Sequence, residues 1–253
     1  RVLDLANSPM YVKDLGLPSW MEDTVNRTIR ADSGMFIVCG PTGSGKTTSL
    51  YSALRDIDVN QRNVITIEDP VEFEIDGVTQ IPVNESQGNT FSSLLRSVLR
   101  QDPDVLLVGE IRDPETAQIA LQAAVTGHLV LSTVHARDTI GAIFRMMDLG
   151  VEPYLVGTAV NVLLAQRLVR VLCPHCKVSM RPTSAQMMKM SKYTQGVSKA
   201  FFPCGCGRCL NTGYLGRHGV YELLTATDDL RDAILNNPTM QNIRKAVEGM
   251  LFN

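Results

Sequence analysis

The stretch Gly40-Pro41-Thr42-Gly43-Ser44-Gly45-Lys46-Thr47 matches G-x-x-x-x-G-K-[ST] at every fixed position. Its glycines let the backbone wrap inward, so that successive N–H groups face phosphate oxygens. The helix that follows adds the positive end of its dipole. Lys46 is placed to reach the β- and γ-phosphates, and the Thr47 hydroxyl to ligate Mg²⁺. A buried strand, Met35 to Cys39, runs into the loop, and a helix-forming run leaves it from Thr48 to Asp56. Strand, loop and helix in that order are what a triphosphate site requires, so Thr48 counts among the nucleotide-binding residues. The sequence carries no Asn/Thr-Lys-x-Asp guanine-reading motif, which favours ATP over GTP.

Hydrolysis needs carboxylates beside the metal and the attacking water. The apolar run Val105 to Val108 ends in Gly109-Glu110. The usual second motif of such enzymes ends in Asp, often followed by Glu; here Gly109 takes the Asp place and Glu110 keeps the other. Glu110 is therefore the leading candidate to orient or deprotonate the water, and direct protein ligation of Mg²⁺ falls to Thr47. A second run, Val64 to Ile67, leads into Glu68-Asp69-Pro70-Val71-Glu72. Strand ends of a parallel sheet gather along one edge, so Glu68, Asp69 and Glu72 can all face the γ-phosphate. Either Glu68 or Glu72 could instead be the base, and a solvated acidic turn is the plain alternative. His128 and His135 flank a fourth apolar run, Leu129 to Ser132. Histidines there can sense the γ-phosphate, bond across a subunit interface, or be structural.

Two Cys-x-x-Cys steps, Cys173 with Cys176 and Cys206 with Cys209, have 29 residues between them. Four thiolates on two tight turns suit tetrahedral Zn²⁺ at Zn–S distances of about 2.3 Å, and with no open position the ion is structural. Cys204 rivals Cys206, although the spacing to Cys209 favours Cys206. Free thiols or a redox pair are the alternatives. Cys39 reads as a small buried strand residue.

Other elements position these groups. A helix follows Pro18 towards Arg30. Phe91, Leu94, Leu95, Val98 and Leu99 keep helical spacing, which puts Arg96 and Arg100 on another face. Asp113-Pro114 reads as an N-cap and first helical position, with a stop at Gly127. A further helix spans Asp138 to Leu149 and stops at Gly150. Short apolar strands alternating with helices predict an α/β domain, a mostly parallel sheet covered on both faces. The expected organisation is a linker or domain start over 1–33, a core over 34–170, a cysteine module over 171–217 and a helical region over 218–253.

The composition is that of a globular domain: 253 residues, 44% hydrophobic and 20% charged. A formal net charge of -2 gives no global basic field to recruit nucleic acid. No run approaches the roughly 18 apolar residues of a spanning helix. No signal peptide opens the chain, and its first residue is Arg, which suggests a piece of something longer.

Taken together these segments resemble the secretion ATPase superfamily that drives type II secretion, type IV pilus assembly and DNA-uptake pseudopili. Beyond the phosphate loop, Ile67 to Glu72 resembles the family's Asp box. Leu99 to Asp104, leading through Val108-Gly109-Glu110-Ile111-Arg112-Asp113, resembles its atypical Walker B. Thr126 to His135 resembles its His box. The cysteine pairs followed by Gly213-Tyr214-Leu215-Gly216-Arg217 resemble the tetracysteine insertion of assembly and export members, which retraction members generally lack. The resemblance implies a RecA-like P-loop fold, a homohexameric ring, and ATP hydrolysis coupled to an inner-membrane platform protein. It implies a cytoplasmic location, peripheral to the inner membrane rather than spanning it, with ATP, Mg²⁺ and Zn²⁺ bound and no nucleic acid. Arg96, Arg100, Arg112 and Arg217 match arginines in the family's motifs and are candidates for nucleotide or interface contacts. Further activating arginines are expected from a preceding domain. The rivals are a hexameric nucleic-acid translocase and a nucleotide-gated scaffold that does not hydrolyse.

Overall fold

The apolar runs become strands because β-branched and aliphatic side chains sit well on a pleated surface buried on both faces. The structure, a computed structural model, describes residues 9–190 and 199–249; the expected organisation at 1–8, within the cysteine module at 191–198, and at 250–253 lies outside the described residues. In chain order the elements are α1 (Ser19–Ile29), β1 (Gly34–Cys39), α2 (Lys46–Arg55), β2 (Val64–Glu68), β3 (Thr79–Pro82), α3 (Phe91–Val98) and β4 (Val105–Val108). Next come α4 (Pro114–Val125), β5 (Leu129–Val134), α5 (Thr139–Asp148), α6 (Pro153–Ala159) and β6 (Val160–Leu172). The remainder are β7 (Val178–Met180), α7 (Ser184–Met190), β8 (Ala200–Phe202), β9 (Tyr214–Thr225), α8 (Asp228–Asn236) and α9 (Met240–Ala246).

One sheet has the order β3-β2-β4-β5-β1-β6-β9. The pairs from β3 to β6 are all parallel. Register fixes which ends meet: Cys39 lies opposite Val134, Val108 opposite Ser132, and Ile67 opposite Val108. The ends of β1, β2, β4 and β5 thus share one edge, and Gly40, Glu68, Gly109 and His135 leave from it.

Side chains alternate between the two faces. From β1, Met35, Ile37 and Cys39 enter one core with residues of α3 to α6, α8 and α9. Phe36 and Val38 enter the other with residues of α1 and α2. The expected doubly covered sheet is what forms. Helix α4 opens as its sequence predicts: Asp113 is the N-cap, its Oδ1 accepting from the Thr116 N–H at 2.8 Å, and Pro114 is the first helical residue. Such a cap contributes about 1 kcal/mol.

The chain divides into two compact units. The first comprises 1–167 and 219–253, the second 168–218. In the second, β7 and β8 form an antiparallel pair in which Ser179 faces Phe201.

Candidate active site

The phosphate loop is shaped by backbone that only glycine tolerates. Gly40 has φ 149°, and a Cβ there would lie 2.4 Å from the Gln166 carbonyl oxygen and 2.7 Å from Ser44 Oγ. Helix α2 begins at Lys46 behind Gly45, an N-cap with no side chain to meet the free N–H groups of the first turn. Those donors are what an anion would take. Gln166 of β6 braces the loop: its Nε2 donates to the Ser44 carbonyl at 2.7 Å, and its Oε1 accepts from Ser49 Oγ at 2.7 Å. Sequence reasoning missed Gln166, although a fully buried amide inside an apolar strand is the signal that could have found it.

A cavity of about 580 Å³ opens above the sheet edge. Thr42, Gly43, Gly45, Lys46, Thr47 and Thr48 line one side, and Glu68, Asp69 and Glu72 another. Glu110, Arg112 and His135 close it from the ends of β4 and β5. The sheet edge therefore joins the loop, the carboxylates and one histidine of the sequence expectation in one space. Lys46 Nζ donates to the carbonyls of Gly40 and Pro41 at 3.1 and 3.2 Å. Burial lowers the Lys46 pKa, while the charge of Glu110 opposes that shift.

Glu110 lies between Arg112 and His135. Arg112 donates to its Oε2 at 2.6 Å, and that bond raises the Arg112 pKa. Its Oε1 is 2.8 Å from His135 Nε2, a contact without hydrogen-bond alignment that leaves this buried oxygen with no donor aimed at it. Ser44 Oγ in the loop is likewise buried without a partner. Two buried oxygens without an aligned hydrogen bond and a loop that a single Cβ would fill fit a site for a triphosphate, its Mg²⁺ and a water. A Cβ at Gly109 would come to 3.2 Å from the Ile67 carbonyl oxygen and 3.4 Å from Glu68 Cα, so a side chain fits there only if the end of β2 gives by a few tenths of an ångström.

The 68–72 acids separate by environment. Glu68 is 3% exposed. Its Oε2 accepts from the Tyr51 hydroxyl, and its Oε1 from Thr66 Oγ1 at 2.5 Å and Gln80 Nε2 at 3.2 Å. Burial and then this carboxylate push the Tyr51 phenol up, so it stays a donor. Glu68 is thus occupied as a strut. Asp69 is exposed and Glu72 half-buried at the rim.

Three expected nucleotide contacts of the first unit, His128, Arg96 and Arg100, are not among the residues that line this cavity. His128 precedes β5, at the opposite sheet edge, with Nδ1 3.0 Å from the Ala123 carbonyl. Six strand residues at about 3.3 Å each carry it away from the loop. Arg96 projects from α3 to pair with exposed Glu115 of α4, because Leu95 and Val98 take the buried face. Exposed Arg100 donates to Ser97 Oγ at 3.4 Å. Arg217, exposed on β9, belongs to the second unit.

In the second unit, among the described residues, the Sγ atoms of Cys173, Cys176, Cys206 and Cys209 all lie within 4.8 Å of one another. Three separations are 4.0, 3.8 and 3.7 Å. Tetrahedral Zn–S bonds of about 2.3 Å require about 3.8 Å between sulfurs. Backbone N–H groups of Gly205, Cys206 and Gly213 point at sulfurs at 3.2 to 3.3 Å, as thiolates need. Burial opposes ionisation of Cys209, yet the Cys206 and Gly213 amides that donate to it bring its pKa below the ordinary value. Cys204 is exposed and lies outside the cluster, whereas Cys206 is within it.

Residues 1–251 match the family described as Type II/IV secretion system protein. Similar proteins include type II secretion system protein E of Aeromonas hydrophila, 46% identical over 92% of this chain and 47% of its own length. The type II secretion system ATPase E of Vibrio cholerae is 42% identical over 98% of this chain and 49% of its own. The chain thus spans about half the length of the curated relatives it matches. Among solved structures, the pilus retraction motor PilT with bound ADP superposes at TM-score 0.70 and 30% identity, covering 98% of this chain and 62% of that one. The Legionella pneumophila ATPase DotB superposes at TM-score 0.65 and 24% identity, covering 95% and 57%, a likeness of fold. By its sequence, its sheet and its phosphate loop, this chain belongs to the type II/IV secretion system protein family.

Proposed function

We propose that this chain is the ATP-hydrolysing motor part of a machine that assembles a secretion pseudopilus or type IV pilus. The observation that carries this is the meeting of Lys46 and Glu110 in one cavity at the edge where β1 and β4 end. The loop amides and Lys46 bind the triphosphate, and Thr47 would hold Mg²⁺, which would offset charge building on the phosphate oxygens. Glu110 orients the attacking water and takes its proton on Oε1, while Arg112 holds Oε2 in place. His135 is beside Oε1 and receives the proton or reports the γ-phosphate. Glu68 is a strut in this scheme and Glu72 a rim residue. Zn²⁺ on the four cysteines is structural.

The working state we propose is a homohexamer, with Arg96, Arg100, Arg217 and His128 turned to subunit interfaces, acting on an inner-membrane platform protein from the cytoplasmic side. Among the described residues no helix is long and apolar enough to cross a membrane, in keeping with peripheral attachment. Phosphate release tests the reaction. ATP should be turned over in preference to GTP, and Lys46→Ala should abolish nucleotide binding and turnover together. Undiminished turnover by Lys46→Ala would remove the loop from the chemistry.

A further inference from the structure

The net charge of -2 conceals a segregation. All 26 acidic residues of the chain lie outside 168–218, while eight of its 24 basic residues lie within it. The second unit holds no Asp or Glu at all, and the first carries ten more acids than bases. Four thiolates with one Zn²⁺ would subtract only two charges from the eight.

The cations stand beside exposed apolar side chains. Lys177 and Arg181 bracket β7, Lys199 precedes β8, and all three are exposed. Phe201 is 58% exposed, with Lys177 Nζ 4.8 Å from its ring centroid. Met180 and Leu210 are also open to solvent, at 50% and 85%. Exposed apolar side chains set among cations, with no carboxylate in the unit to answer them, mark a surface that a partner can cover.

We propose that the two-stranded face around Lys177, Arg181, Lys199 and Phe201 docks on an anionic lipid bilayer. Lysine and arginine stems run along apolar surface and keep their charge at headgroup level, while Phe201 enters the acyl boundary. Among the described residues a single exposed Phe201, in a unit with eight cations and no carboxylate, favours anionic headgroups over nucleic acid, which asks for a series of aromatic platforms to stack bases. The proposal deepens the peripheral placement above and rests on it, assigning that contact to the cysteine module.

The test is co-sedimentation of the zinc-loaded chain with vesicles of phosphatidylcholine alone or mixed with phosphatidylglycerol. Binding is expected only to the mixed vesicles and is released by salt. Each cation near an anionic surface raises partitioning about fivefold. Removing Lys177, Arg181 and Lys199 as Ala variants should therefore weaken binding on the order of a hundredfold, and Phe201→Ser should weaken it without changing zinc content. Reversing Arg30, Arg244 and Lys245 in the first unit should leave binding intact. Equal binding to both vesicle types, no loss in the triple variant, or capture of a single-stranded oligonucleotide or acidic peptide in place of lipid would overturn the proposal. Vesicle binding does not require turnover, so Lys46→Ala should still sediment, and the motor and docking claims fail separately.

Discussion

Glu110 and Gln166 show how much a single side chain's surroundings decide. Glu110 follows the end of an apolar strand and Gln166 lies within one, yet one has an oxygen with no aligned hydrogen bond and the other uses both ends of its amide. A buried oxygen without such a bond costs stability and persists where chemistry needs it. A doubly used amide is scaffolding. Gln166→Ala should strip two bonds from the loop, lowering stability by about 1–3 kcal/mol and raising KM for ATP severalfold. Unchanged KM with lowered stability would show that the loop keeps its shape unaided. The motif residues were legible in the sequence because their spacing encodes backbone geometry. The role of Glu68 was not, because its partners Tyr51 and Gln80 come from other elements and no local pattern announces them.

At the level of elements, β1, β2, β4, α4 and α5 were readable because period and caps agreed. Strands β3 and β9 were not. The four residues of β3 are largely exposed, and much of β9 is polar, so neither has an apolar signature. The run Val160 to Leu172 is apolar enough for either helix or strand, and its pairing with β1 decides. The two cysteine turns are elements whose order depends on metal. Cys206→Ser should lose zinc and open 168–218 to protease, whereas Cys204→Ser should retain one zinc per chain and resist. Equal zinc in both variants would break the assignment of the fourth ligand.

For the whole molecule, the phosphate loop and its carboxylates share one unit and the cations concentrate in the other, an arrangement the net charge could not reveal. Among the described residues two guanidiniums line the cavity, and both are engaged: Arg112 by Glu110, and Arg55 over the Phe73 ring at 5.0 Å. Transition-state charge on the phosphate is then under-compensated within this chain. A longer chain, of the length of its relatives, should hydrolyse ATP at least tenfold faster per subunit if it supplies further arginines. Equal rates per subunit would mean that this chain holds the full catalytic set.

The most direct test is Glu110→Gln, assayed for Mg·ATP binding and phosphate release on the same preparation. Binding should stay within about twofold, while release falls by about 10² to 10⁴, the contribution of a positioned general base. Release at the wild-type rate from Glu110→Gln would contradict the assignment of the water to this carboxylate, and with it the hydrolytic site described above.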